Sequence, residues 1–475
     1  MMKKLTLLLL FFVLTLAAQS QESDEVKARI NRIENSISPL FRIKGRDVPK
    51  YNLEERLKAL NIPGVSIAFV SNGKVEWARA YGMADRGENR KMTTETMLLA
   101  GSISKPVAAL RAHQMVENGT FSLDENVNNY LKTWQLPDNE FTETEKVTLR
   151  RILNHTAGLT VWGFPGYDKG DKVPSTTEVL DGKGNTDSVR VYKKPGESWM
   201  YSGGGYTIMQ LMIDENEPVS FVESLQKHVL DPMGMEKSTF ANPLPEKYHS
   251  LAATGYRGNG AEVEGKWPIY PEMAAAGLWT TPSQLIQYAI EVQRIDNSKE
   301  DGILKYESVK EMLTPGFNNH GLGPVVRKYF FEHGGADEGF RAQLMAWRDQ
   351  PYAIVVMVNS DNGSIMREII LAVAEEYGLE GISPNELSTI EMAEADLQKF
   401  TGKFKVTDLG DCELSIENGQ LKVTAAFLPK PLMLLPMTTN RFFDESDGTP
   451  FMFDIKEGKV VGFNVQRFRA DRIDE

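Results

Sequence analysis

The sequence predicts a mixed α/β (α+β) chain: an antiparallel sheet flanked by helices, with a helical insertion, followed by a small C-terminal antiparallel β domain. Two patterns predict it. Strand-like runs stand at Val65–Val70 and Lys74–Tyr81 and return only near Tyr329–His333, Ala342–Trp347 and Ala353–Val358, with helical periodicity between them. That order describes one sheet assembled from both ends of a domain. After residue 392 the pattern changes to short alternating runs separated by Gly turns, as in a small β-barrel.

The chain begins with Lys3 and Lys4, then an apolar run from Leu5 to Leu16, then the small residues Ala18 and Ser20. The run has the size of a signal-peptide core and is too short to span a bilayer, so residues 1–20 read as a signal peptide cleaved after Ser20. No later stretch is apolar enough to cross a membrane. The mature chain opens on an amphipathic helix marked by Val26, Ile30, Ile33 and Ile37, and Leu53–Leu60 reads as a second, short helix. Asn72-Gly73 between the first two strand runs is a strong hairpin signal, because both residues suit the positive φ angles of a tight turn.

A helix-rich stretch runs from about Ser102 to Gln293, interrupted by the turn-rich segment Gly163–Gly184, and Ile365–Tyr377 is again helical. Residues 21–380 therefore read as one domain, 381–392 as a linker and 393–475 as the β domain. In the β domain Leu414, Ile416, Leu421 and Val423 alternate around Asn418-Gly419. Phe451, Phe453, Val461 and Phe463 follow, with turns at Asp447-Gly448 and Glu457-Gly458.

Composition narrows the function. In 475 residues, 41% are hydrophobic and 25% charged, which is globular, and the length implies two or three domains. The net charge of −12, with no basic cluster beyond pairs such as Lys193-Lys194, excludes a phosphate-binding surface and hence a nucleic-acid partner. Cys412 is the single cysteine, so no internal disulfide forms, and it reads as a small buried side chain. His228, His249 and His320 are isolated, with no metal-ligand spacing. There is no His-Glu-x-x-His helix, phosphate-binding Gly-Lys-Ser/Thr loop, dinucleotide fingerprint or Gly-x-Ser-x-Gly elbow, so no metal or organic cofactor is implied.

The segment Ala100-Gly101-Ser102-Ile103-Ser104-Lys105-Pro106 is the chemically informative one. Ile103, Val107 and Leu110 mark one apolar stripe and Ala108, Ala112 and Met115 another, so the helix that follows is buried on most sides, with Asn118-Gly119 as its stop. Pro106 is tolerated only in a first turn, which puts Ser102 at the helix N-terminus, where free backbone N–H groups favour a developing anion. Lys105 lies three residues on and shares a face with Ser102. An amine taken out of water is a usable base; kept charged, it stabilises a neighbouring phenolate. Spacing alone is weak, because Ser71–Lys74 and Ser224–Lys227 repeat it and Ser is a common helix cap.

Gly101-Ser102-Ile103-Ser104-Lys105 resembles the first motif of the serine β-lactamase and penicillin-binding-protein superfamily, closest to its class C β-lactamase-related esterase and D-peptidase branch. Leu153-Asn154-His155-Thr156-Ala157-Gly158-Leu159, Pro195-Gly196 to Tyr201-Ser202-Gly203, Gly277-Leu278 to Leu285, and His333-Gly334-Gly335 resemble further segments of it, together covering about Ile62 to Tyr377. The resemblance implies a β-lactamase/transpeptidase-like fold and makes Tyr201 the partner base, able to take the proton of Ser102 and pass it to a leaving group. It also implies that the backbone N–H groups of Ala336 and Ser102 form an oxyanion hole.

His333, in place of the lactamase lysine, is expected to bond a substrate carbonyl or carboxylate or to tune Tyr201, while Gly334 and Gly335 let substrate lie along the strand edge. His155 is expected to fix a turn. Gly203 stands where the family has an Asn that bonds the substrate amide. This departure turns the reading from lactams toward esters or D-amino-acid peptides, and Gly203-Gly204-Gly205 is expected to be flexible or closely approached, opening the site to bulkier acyl groups.

The sequence thus describes an exported bacterial serine hydrolase, periplasmic or secreted, that forms an acyl-enzyme on Ser102 with a small-molecule or peptide substrate. Its alternative is a catalytically silent binding or sensing protein on the same scaffold. Nothing in the sequence specifies an oligomeric state.

Overall fold

The structure, a computed structural model, describes residues 23–428 and 430–474, so the expected signal peptide lies outside the described residues. The chain opens with helix α1 (Asp24–Glu34), capped by the Ser23 hydroxyl, then strand β1 (Phe41–Ile43) and helix α2 (Leu53–Ala59), capped by Asn52. Strands β2 (Gly64–Ser71) and β3 (Lys74–Asp85) form the expected hairpin, with Asn72 and Gly73 at φ 52° and 71°. The short strands β4 (Arg90–Lys91) and β5 (Leu98–Leu99) follow.

Helices α3 (Ser104–Glu117), α4 (Leu149–Leu153), α5 (Thr176–Leu180), α6 (Gly203–Asn216), α7 (Phe221–Leu225) and α8 (Met273–Ala276) come next. After them stand strand β6 (Trp279–Thr280) and helices α9 (Pro282–Ser298) and α10 (Tyr306–Met312). Strands β7 (Val325–Val326), β8 (Phe330–Asp337), β9 (Phe340–Trp347) and β10 (Ala353–Val358) and helix α11 (Ser364–Tyr377) close the domain.

The sheet has the order β4-β3-β2-β10-β9-β8-β7 with every pairing antiparallel, so the two ends of the domain meet at β2 and β10. Both of these central strands are buried at every residue. Alternate side chains enter two separate cores. Ala68, Val70, Val355 and Met357 face α3, α6 and α9; Val65, Ile67, Phe69, Ile354 and Val356 face α1, α2 and α11. Covered faces on both sides explain why β10 is apolar throughout and β2 at all but its two serines, rather than alternating.

The segment expected to be a linker carries a strand, β11 (Asn385–Leu387), paired in parallel with β1. Its Leu387 is buried with Leu435 and Phe443 against Phe41 and Ile43, a contact that three residues of sequence cannot announce. A short helix, α12 (Glu394–Leu397), leads into a closed antiparallel barrel. Its strands are β12 (Gly402–Val406), β13 (Gly410–Glu417), β14 (Gln420–Ala425), β15 (Leu432–Pro436), β16 (Arg441–Asp444), β17 (Pro450–Lys456), β18 (Lys459–Val465) and β19 (Phe468–Arg472). Among the described residues no helix is long and apolar enough to cross a membrane.

Candidate active site

The site forms where the start of α3 meets the edge of β8. Leu98, Leu99 and Ala100 are buried, and β5 pairs with β6. The Ala100 N–H donates to the Leu278 carbonyl at 2.8 Å, and the Leu278 N–H to Ser104 Oγ at 2.9 Å. This anchors a single 3₁₀ turn, Gly101–Ile103, which runs into α3 with Pro106 in its first turn. α3 is buried along most of its length, and Gly119 at φ 80° follows its end, as expected from Asn118-Gly119.

Two glycines let this turn lie against β8. A Cβ on Gly101, which sits at φ 54°, would come within 2.4 Å of the Ala336 nitrogen; one on Gly335 would come within 1.9 Å of the Ala100 oxygen. The backbones carrying Ser102 and Ala336 are therefore neighbours because neither glycine has a side chain.

Lys105 is 2% exposed. Its Nζ donates to Ser102 Oγ at 3.2 Å and to the Ala275 carbonyl at 2.8 Å, and lies 4.9 Å from the centre of the Tyr201 ring. Among the described residues no carboxylate lies within ion-pair distance of it. Tyr201 precedes α6 and is held from both sides. The Ser202 hydroxyl caps α6 and donates to the Thr160 carbonyl, and the Ser202 N–H donates to His155 Nδ1 at 3.2 Å. The His155 carbonyl accepts from the Met200 N–H, and its ring stacks 4.2 Å from Tyr201. His155 thus fixes the turn that presents Tyr201, from a left-handed φ of 59°.

His333 lies buried on β8. Burial first, and then the nearby Lys105, push it down to about 3, so the ring is neutral. Its Nδ1 stands 2.7 Å from the Gly334 carbonyl, the side on which a ring N–H would be satisfied. Its Nε2 is buried and has no partner among the described residues.

Gly203 is closely approached, one of the two expectations, but it does not open the site. A Cβ there would meet Phe164 at 2.8 Å and the Trp162 carbonyl at 3.3 Å, so the space an Asn side chain would need is filled, not opened. The three glycines start a buried helix and allow close packing.

Ser102, Lys105, Tyr201, His333, Gly334, Gly335 and Ala336 line one cleft of about 560 Å³, and Gly203 is not among its walls. Sequence reasoning missed Trp162, Phe164, Trp199, His320 and Asp337, which share it. Trp162 is 74% exposed at the rim. His320, taken as isolated, packs 4.9 Å from His155 and 5.3 Å from Trp199; burial pushes it down to about 4. Nothing in its local sequence signals this, because its neighbours come from remote segments. Among the described residues no group of His, Cys, Asp and Glu is placed to hold a metal ion.

Two buried carboxyls lie behind the turn. Asp337, at the end of β8, and Glu272, at the start of α8, are each pushed up to about 8, chiefly by burial. Unfolded carboxyls ionise near 4, so folding keeps these two protonated and loses stability as pH rises from about 4 to 8. The buried histidines act oppositely: His333 and His320 add stability as pH rises from about 3 or 4 to 6.5, and change nothing above it. Between pH 6.5 and 8 the melting temperature should therefore fall, and Glu272→Gln, which mimics the protonated acid, should flatten that fall by roughly 2 °C. Thermal melts at the two pH values check this; an equal fall in the variant contradicts it.

The Beta-lactamase family matches residues 51–377, more than half of the chain. Penicillin-binding protein 4* of Bacillus subtilis is 21% identical over 427 residues, spanning 84% of this chain and 91% of that protein. Among solved structures, an octameric penicillin-binding protein homologue from Pyrococcus abyssi superposes with a TM-score of 0.61 at 22% identity, covering 88% of this chain and 97% of that one. A class C β-lactamase mutant superposes with a TM-score of 0.56 at 18% identity, covering 75% and 99%. The chain belongs to the Beta-lactamase family, whose β-lactamase and penicillin-binding-protein-like members are serine hydrolases.

Proposed function

We propose that this member of the family is an exported acyl-transfer hydrolase, with Ser102 as nucleophile and Lys105 and Tyr201 as its proton-handling partners. The observation that carries the reading is the Ser102 hydroxyl at the mouth of a buried helix, 3.2 Å from a buried amine. Ser102 Oγ adds to the substrate carbonyl carbon while its proton passes to Lys105 or Tyr201. The carbonyl oxygen becomes an oxyanion facing the N–H groups of Ser102 and Ala336. As the tetrahedral carbon collapses, the leaving group departs with that proton. Water then adds to the acyl-enzyme by the same route and frees Ser102.

The cleft supports esters or peptide amides over lactams. His333 is neutral where the resemblance has a lysine, so it supplies no cation for a lactam carboxylate. Arg327, also in the cleft wall, is already paired with Glu332 at 2.6 Å. Trp162, Phe164 and Trp199 offer aromatic walls for a bulky acyl group.

The test is a fluorophosphonate probe followed by intact-mass measurement. The wild-type chain should gain one adduct and Ser102→Ala none. No adduct with any acylating probe would point instead to a silent binding protein.

A further inference from the structure

The barrel is closed at one end and open at the other. Leu397 and Phe400, from α12 and the turn after it, plug one end, where Phe400 packs 4.9 Å from both Phe442 and Phe453, and Phe453 5.2 Å from Phe463. The hairpin loops at the opposite end surround a cavity of about 280 Å³. Val406, Cys412, Val423, Phe451 and Phe468 form its walls, and Leu409, 42% exposed, stands at its mouth. The polar groups among the lining residues are Asp444, Asp447, Thr449 and Gln466; none is basic.

An eight-stranded barrel has an interior that side chains just fill, or that holds one small ligand. Here aromatic rings fill one half and leave the other vacant. Its volume is about twice that of the ~150 Å³ apolar cavity known to take up a benzene ring. An apolar chamber with a few polar groups at its opening, in the mouth of a barrel, is where small-molecule sites occur.

We propose that the C-terminal barrel is a second binding site, separate from the Ser102 cleft, for one uncharged apolar molecule the size of a two-ring aromatic or a medium-length alkyl chain. The apolar part lies between Val406, Cys412, Val423 and Phe451. A neutral polar end meets Thr449 and Gln466. With no basic side chain among its lining residues and Asp447 at its opening, the chamber disfavours an anionic head group, because like charges brought together at an interface are costly. The site does not depend on Ser102 being a nucleophile.

The experiment titrates the full chain with N-phenyl-1-naphthylamine, a neutral two-ring dye. A saturable emission rise at one dye per chain is expected, reversed by 1-decanol. Decanoate should need at least about ten-fold more. Cys412→Phe fills the chamber and should weaken dye binding at least about ten-fold while leaving hydrolysis at the Ser102 cleft unchanged. Should that variant not fold, Leu409→Asp at the exposed mouth gives the same reading, and 1-decanol should slow N-ethylmaleimide alkylation of Cys412, the single thiol. The proposal fails if no saturable binding occurs, if the cavity or mouth variant binds the dye as wild type does, or if a fluorophosphonate adduct on Ser102 abolishes dye binding. Equal competition by decanoate overturns the neutral-ligand assignment.

Discussion

Lys105→Ala is expected to slow acylation of Ser102 by about 10²–10⁴-fold, the range that a positioned proton-transfer group contributes. The amine is the one group whose hydrogen bond to Ser102 Oγ is already made, and its second bond, to the Ala275 carbonyl, fixes its direction. Truncation removes both and leaves the Ser102 hydroxyl without its amine partner. Two companion variants separate the roles. Lys105→Arg keeps a positive charge but cannot give it up, so it rescues activity only if Lys105 serves to stabilise a Tyr201 phenolate. Tyr201→Phe abolishes acylation in that case and is milder if Lys105 itself takes the proton. Pre-steady-state labelling by a fluorophosphonate reads all three. Lys105→Ala reacting at the wild-type rate would mean the site is misassigned.

Gly335→Ala is expected to cost about 10²-fold or more in ester turnover, because a displacement of about 1 Å suffices for that loss. The added Cβ would stand 1.9 Å from the Ala100 oxygen, a backbone atom that cannot swing aside. Relief requires the 3₁₀ turn to move off β8, which separates the Ser102 and Ala336 N–H groups that we propose face a common oxyanion. Gly334 supplies the contrast. A Cβ there meets Gln343 Oε1 at 3.4 Å and the Ala342 carbonyl at 3.9 Å, both ordinary contacts, so Gly334→Ala should be the milder change. Parallel measurements of ester hydrolysis, normalised to the folded fraction in a melt, check the pair. Equal losses would show that the close approach of the turn to β8 does not set the geometry.

Much of this architecture was legible in the chain because local rules and long-range packing agree. Asn72-Gly73 makes a hairpin by its own backbone preferences, and Pro106 dates the start of α3 to within a turn. The apolar runs of β2 and β10 mark strands with both faces covered. Other features had no local signal. β11 is a strand only because Leu387 finds Leu435 and Phe443 far along the chain. His320 and Trp199 join the cleft through ring contacts between distant loops. Gly203 misled for a related reason: a missing side chain reads as empty space until the ring of Phe164 is seen occupying it.

The pairing of β2 with β10 also governs how the molecule comes into being. During synthesis the β2–β3 hairpin emerges early, yet the edge of β2 that Ala353–Val358 will cover stays bare until that strand has left the ribosome. A strand that is buried at every residue once folded, waiting for so remote a partner, is a template for unwanted pairing. A chain ending before residue 353 would leave that edge of β2 unpaired and is expected to aggregate.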